Sequence, residues 1–217
     1  MFLAGKSEFL LSLVKFREDI FTNKFHRIIF CEPHRATAKS NEFFDRLKTE
    51  FPTIEQCFGL PNLQALNLHY NTLPCLILID DLMKELLSSE AMFDLITKQV
   101  HHNNLSVCFT LQNYFAPSKF GKSFIRNCQY RVIFYNRLDQ RELNVMSSQI
   151  ANSPHFFASN FEFLYKEFPY IHSHFLLIDG QFNSPIKDFW CRTNIFPSEK
   201  GEEIVPIIFM KNPDYHV

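Results

Sequence analysis

Gly5, Lys6 and Ser7 stand directly before an amphipathic helical pattern, which is how a phosphate-binding loop ends. In such a loop, backbone N–H groups hold the phosphates, the lysine contacts the β- and γ-phosphates, and the hydroxyl binds Mg²⁺. The full motif, G-x-x-x-x-G-K-[ST], would place its first glycine one position before Met1, and no strand precedes the loop. We therefore expect a nucleotide-binding site that lacks the N-terminal part of its loop. The alternative is that the tripeptide Gly-Lys-Ser occurs here by chance and binds no nucleotide.

Two adjacent acids, Asp80 and Asp81, follow the apolar run "LILI". A nucleotide hydrolase of this kind needs an acid at the end of a buried strand to hold the water shell of Mg²⁺. It also needs a second acid to orient the attacking water. The alternative is that these aspartates cap the helix that follows the strand, a common role for aspartate.

Gln112 ends the next apolar run, "LSVCFTLQN". The carboxyl ends of parallel strands form one ligand crevice, so Gln112 could sense the γ-phosphate or position the attacking water. An ordinary strand-end amide is the alternative. We expect Lys6, Ser7, Asp80, Asp81 and Gln112 to converge at one edge of one sheet.

Apolar periodicity predicts alternating strands and helices, and this pattern is typical of an α/β fold around a mostly parallel sheet. One domain over residues 1–197 suffices, followed by an irregular tail over 198–217. The predicted strands are His26–Cys31, Thr53–Phe58, Leu73–Met83, Leu105–Asn113, Tyr130–Tyr135 and His172–Asp179. The predicted helices are Ser7–Phe21, Ser40–Glu50, Ala91–Val100, Asp139–Ile150 and Phe156–Phe168.

Composition limits the class of protein. The formal net charge of −1 gives no bulk electrostatic case for nucleic acid, so DNA contact would need a local patch. The six cysteines have no zinc-site spacing, which favours buried free thiols. No apolar stretch approaches the roughly 18 residues of a membrane span. We expect a soluble, intracellular protein with no membrane partner.

Several stretches resemble one family. "GKSEFLLSLVKFREDIF", "CLILIDDLM", "HHNNLSVCFTLQNYF" and "CRTNIFP" are similar to the packaging ATPases of large DNA viruses and Maverick/Polinton elements, the poxvirus-like branch of the FtsK–HerA superfamily of P-loop NTPases. The stretches around "DDLM" and "LSVCFTLQN" are more specific than "GKS". The resemblance extends from Gly5 to about Pro197.

The resemblance implies a RecA-like core whose first strand, the P-loop strand, is missing. It implies an ATPase with ATP and Mg²⁺ as cofactors, in a homo-oligomeric ring that pumps double-stranded DNA into a capsid. It implies capsid proteins as partners, and the host nucleus or cytoplasm, or the virion, as location. The nucleotide-binding loop of the family matches Gly5, Lys6 and Ser7 here, and its Mg²⁺ site matches Ser7 and Asp80. The catalytic acid of the family matches Asp81, and its sensor matches Gln112.

Two departures from the family leave alternatives open. Lys122 stands where the family usually has an arginine, and Arg126 is displaced from that position. This puts an arginine finger in doubt, because lysine cannot form a planar bidentate clamp. The basic residues of this region form either a DNA contact or a solvated face: Lys119, Lys122, Arg126 and Arg131.

The incomplete loop leaves a second function open, an inactive remnant that serves at most as a binding module. A nucleoside kinase is a third possible function, but it would need an arginine-rich lid, and the sequence shows none.

Overall fold

The computed structural model describes residues 5–34, 37–62, 73–100, 104–115, 117–136, 140–168, 174–181 and 190–210. They form two compact units. The first spans Ser7–Asn127, and the second consists of the described residues from Cys128 onward together with those before Ser7. The limits of a domain over 1–197 and a tail over 198–217 stay a prediction.

The first unit is built on a four-stranded parallel sheet. Its strands are β1 (Arg27–Glu32), β2 (Glu55–Phe58), β3 (Cys75–Ile79) and β4 (Leu105–Phe109), in the order β2-β1-β3-β4. All five residues of β3 are buried, because a parallel strand with helices on both faces meets no water. The four predicted strands and the α/β class are confirmed, although β3 ends at Ile79, before the two aspartates.

The described residues of this part of the chain include six helices and one π-helical segment. They are α1 (Lys6–Lys15), α2 (Arg17–Ile20), α3 (Ala38–Glu50), α4 (Met83–Ser88), α5 (Glu90–Asp94), the π-helical segment Leu95–Gln99 and α6 (Gly121–Asn127). The helix predicted over Ser7–Phe21 divides at Phe16, whose backbone leaves the helical region (φ −102°, ψ 22°). None of the helices in the described ranges is long and apolar enough to cross a membrane.

The second unit contains an antiparallel sheet and two helices. The strands are β5 (Tyr130–Phe134), β6 (Phe175–Asp179), β7 (Cys191–Thr193) and β8 (Ile207–Ile208), in that order. The helices are α7 (Gln140–Ala151) and α8 (Phe156–Glu167), which pack against each other. The short strand β8 lies in the segment for which the sequence predicts an irregular tail.

The sequence predicts one mostly parallel sheet that includes all the strands. This prediction is wrong for β5 and β6, which pair with each other in antiparallel orientation. Tyr130 pairs with Asp179 and Phe134 with Phe175, in antiparallel register. A single helix between two strands returns the chain to the end where the first strand began, so the strands run parallel. Here α7 and α8 follow one another, and a second helix carries the chain back again. The next strand therefore runs in the opposite direction.

Candidate functional site

The carboxyl edge of the parallel sheet carries most of the predicted site residues. Asp80 directly follows β3, and its backbone N–H donates to the Cys31 carbonyl at 2.9 Å. The Thr110 N–H donates in turn to the Ile79 carbonyl, also at 2.9 Å. The parallel pairing thus continues one residue beyond the strands, and it places Asp80 and Thr110 side by side.

Two hydroxyl groups contact the half-buried carboxylate of Asp80. The Thr110 hydroxyl donates to Oδ1 at 2.6 Å, and the Ser7 hydroxyl approaches Oδ2 at 3.4 Å. The first distance is that of a strong charge-assisted hydrogen bond, whereas the second is long and weak. The Ser7–Asp80 contact joins the beginning of α1 to the end of β3, which are 73 residues apart in the chain.

Asp81 has an unusual backbone conformation and a well-defined side-chain partner. Its φ of 59° lies in the left-handed region, which aspartate and asparagine tolerate better than most residues. Its N–H donates to the Thr110 hydroxyl at 3.2 Å. The Gln112 amide donates to Asp81 Oδ1 at 2.6 Å, and both side chains are exposed. The second acid is therefore held at the solvent side of the edge.

The residue before α1 is a glycine with a left-handed backbone conformation. Gly5 is buried, and its φ of 73° is a conformation that glycine adopts without steric cost. Lys6 begins α1 and is the chain neighbour of Ser7, whose hydroxyl contacts Asp80. The helix is anchored by one apolar face, because its buried residues are Phe9, Leu10, Leu13 and Val14.

The donor set at Ser7 and Asp80 suits Mg²⁺. Magnesium prefers hard oxygen ligands, keeps several waters, and takes one or two protein ligands together with phosphate oxygens. A hydroxyl and a carboxylate on facing elements supply such oxygens. Among the described residues, no three His, Cys, Asp or Glu side chains cluster to form a metal cage. A shared site completed by phosphate and water is therefore the kind that these residues fit.

Four of the predicted side chains thus lie in one hydrogen-bonded group: Ser7, Asp80, Asp81 and Gln112. The residue that joins them is Thr110, which the sequence analysis missed. Its signal was available, since it is the first polar residue after β4 and stands two positions before Gln112. Lys122 and Arg126 lie elsewhere, on the exposed face of α6.

The buried cysteines are unsuited to act as nucleophiles or metal ligands. All six cysteines are free, and Cys31, Cys75 and Cys191 are buried. Burial raises the pKa of the Cys75 thiol to about 12. The pKa of the Cys31 thiol is also raised, mainly by burial and next by the neighbouring Cys57. These thiols stay protonated at neutral pH, so they are poor nucleophiles and poor metal ligands.

A pocket of about 450 Å³ opens near the ends of β1, β2 and β3. It is lined by Pro33, His34, Gly59, Leu60, Leu82 and Glu85. The lining residues are mostly apolar and include no lysine or arginine, so they offer little attraction for a triphosphate.

The site is a hydrogen-bonded group of two carboxylates, two hydroxyls and one amide at the ends of two neighbouring parallel strands and the start of α1. The chain matches no protein-family model, no curated protein and no solved structure.

Proposed function

We propose that this chain is the ATP-hydrolysing subunit of a motor that moves double-stranded DNA into a capsid. The observation that carries the catalytic part is the contact between the Ser7 hydroxyl and Asp80, with Asp81 and Gln112 paired beside it. This contact brings Ser7, in the first turn of α1, to the acid that follows β3. The DNA substrate, the ring and the capsid partner come from the family resemblance.

Each residue has a distinct role in this proposal. Lys6 contacts the β- and γ-phosphates of ATP, and the N–H groups at the start of α1 hold them. Ser7 and Asp80 would hold Mg²⁺, which would supply positive charge to the phosphates. Asp81 orients the water that attacks the γ-phosphorus. Gln112 fixes the Asp81 carboxylate through the 2.6 Å hydrogen bond and faces the same water.

The P-loop strand has an obvious place in this sheet. A parallel strand leading into Gly5 must end at the carboxyl edge, close to Ser7. Among the described strands, β2 and β4 form the two outer edges of the sheet. Ser7 contacts Asp80 at the end of β3, which neighbours β4 and is two strands away from β2. A parallel strand leading into Gly5 would therefore extend this sheet at the β4 edge.

The proposal is tested by measuring ATP hydrolysis by the full chain with and without double-stranded DNA. The wild type should hydrolyse ATP faster when DNA is present. Lys6→Ala should abolish turnover, because the phosphates lose their cation. Asp81→Asn should keep ATP binding and stop hydrolysis, since asparagine tolerates the left-handed backbone and still accepts from Gln112.

Lys15→Ala serves as the matched control, because Lys15 ends the same helix at a distance from the acids. It should hydrolyse ATP at the wild-type rate. Unchanged turnover in Lys6→Ala would remove Lys6 from the site. Equal loss of binding and hydrolysis in Asp81→Asn would make Asp81 a structural residue. A wild type that never hydrolyses ATP would favour the inactive remnant.

A further inference from the structure

The charge of the chain is unevenly distributed. Residues 95–138 contain no aspartate or glutamate, while the whole chain has 23 acidic residues and a net charge of −1. The six cations in this 44-residue stretch are Lys98, Lys119, Lys122, Arg126, Arg131 and Arg137. Lys98 is paired with Asp94 at 2.7 Å, and Arg131 and Arg137 lie beyond the end of the first unit at Asn127. The remaining three cations of the stretch, Lys119, Lys122 and Arg126, are the ones that could form a local basic patch, which a near-neutral chain needs in order to bind a polyanion.

Three of these cations lie exposed in the segment that follows β4. Lys119 stands over the ring of Phe120, with Nζ 4.7 Å from the ring centroid. Lys122 and Arg126 are exposed on α6 and lie four residues apart, so they share one face of the helix. Lys122 and Arg126 can therefore contact neighbouring charges on one ligand, and Lys119 lies two residues before the helix begins.

The segment is held firmly by its apolar residues. Phe124 of α6 is fully buried, and its ring meets those of Phe93 and Phe109 edge-on, with centroids 6.1 Å apart in each case. The Gly121 N–H donates to the Ser118 hydroxyl at 2.8 Å, which fixes the turn before the helix. A rigid base keeps the cations in place at little entropic cost on binding.

The same segment begins at the candidate hydrolysis site. Gln112, which donates to Asp81, is followed by an Asx turn in which Asn113 Oδ1 accepts the Phe115 N–H at 2.7 Å. The ring of Phe115 is 43% exposed and meets Tyr114 edge-on at 4.9 Å. Exposed apolar area therefore lies between the site and the three cations along the chain.

We infer that Lys119, Lys122 and Arg126 form a surface that binds the phosphate backbone of duplex DNA. Phosphate contacts are independent of sequence, which suits a protein that must move along any DNA. The assignment of duplex DNA as the ligand rests on the proposed function. The existence of a phosphate-binding surface is inferred from the charge pattern and from the exposed face of α6, independently of that function. Phe115 supplies apolar contact with the sugars beside it.

The test is fluorescence anisotropy with a labelled 30-base-pair duplex of mixed sequence, over a salt series and without nucleotide. The triple variant Lys119→Gln, Lys122→Gln, Arg126→Gln is compared with the wild type. Its matched control is Lys24→Gln, Lys39→Gln, Lys48→Gln, which removes the same charge from exposed lysines elsewhere in the same unit. Thermal melting of each variant shows that the fold is kept.

The surface variant should bind at least tenfold more weakly at low salt, and the control should stay within about twofold of the wild type. The slope of log Kd against log salt concentration should fall by about 2 to 3, because each lost phosphate contact removes about 0.9. Equal losses in the two triple variants, no binding by the wild type, or tighter binding of a single strand than of the duplex would overturn the inference. Because no nucleotide is present, failure of ATP hydrolysis leaves this result unaffected.

Discussion

Thr110 is the residue that organises the candidate site. Its hydroxyl donates to Asp80 and accepts from the Asp81 N–H, so it fixes both acids at once. The sequence could place Ser7, Asp80 and Gln112, because each stands at a strand end or a helix start. It marks Thr110 only as the first polar residue after β4; the contact of its hydroxyl with both acids depends on the register of β3 and β4, which pairs Ile79 with Phe109.

Replacing Thr110 by valine should destabilise the protein by about 1–3 kcal/mol, because it removes a charge-assisted hydrogen bond and leaves the Asp81 N–H without this acceptor. Urea unfolding followed by circular dichroism measures the change. Thr110→Ser keeps the hydroxyl and should recover most of the lost stability. A valine variant as stable as the wild type would show that Thr110 does not hold the two acids.

At the scale of elements, the position of α1 decides where Ser7 lies. Besides its apolar face, α1 is tied to α3 by an ion pair in which the two terminal guanidinium nitrogens of Arg46, Nη1 and Nη2, donate to the Glu8 carboxylate at 2.6 and 2.8 Å. Hydrogen bonding to Arg46 lowers the pKa of Glu8. Because the folded-state pKa is depressed, the stabilisation is present above the unfolded pKa and is lost as the pH falls through the folded value.

A double-mutant cycle with Glu8→Gln and Arg46→Gln should give a coupling free energy of up to about 1 kcal/mol at pH 7. The value is small because the two side chains are 53% and 46% exposed. The coupling should vanish once the pH falls below the folded pKa of Glu8. A coupling that is the same at pH 7 and in acid would contradict the assigned cause.

Also at this scale, the parallel strands were predictable and the antiparallel ones were not. The uninterrupted apolar run of β3 is typical of a strand buried on both faces, and the structure confirms it. The direction of β6 depends on how many helices lie between it and β5. Local periodicity predicts α7 and α8 separately, but it contains no information on the sheet that the chain joins afterwards.

At the scale of the molecule, the α/β class and the free cysteines follow from the sequence. The division into two compact units does not, because no change in composition marks the boundary near Cys128. Net charge is also uninformative at this scale, since a near-neutral total hides the acid-free stretch over 95–138. Long-range contacts, such as the one between Ser7 and Asp80, bring the functional residues together.

The measurement that tests the central claim most directly is the affinity for ATP with Mg²⁺ and with EDTA, for the wild type, Ser7→Ala and Ser12→Ala. Ser12 is the control because it lies on the same helix, where its hydroxyl donates to the Glu8 carbonyl at 2.9 Å. The account predicts that Mg²⁺ tightens ATP binding at least tenfold in the wild type and in Ser12→Ala. Ser7→Ala should lose most of this dependence. An equal effect of Mg²⁺ in all three proteins, or no ATP binding by the wild type, would contradict it.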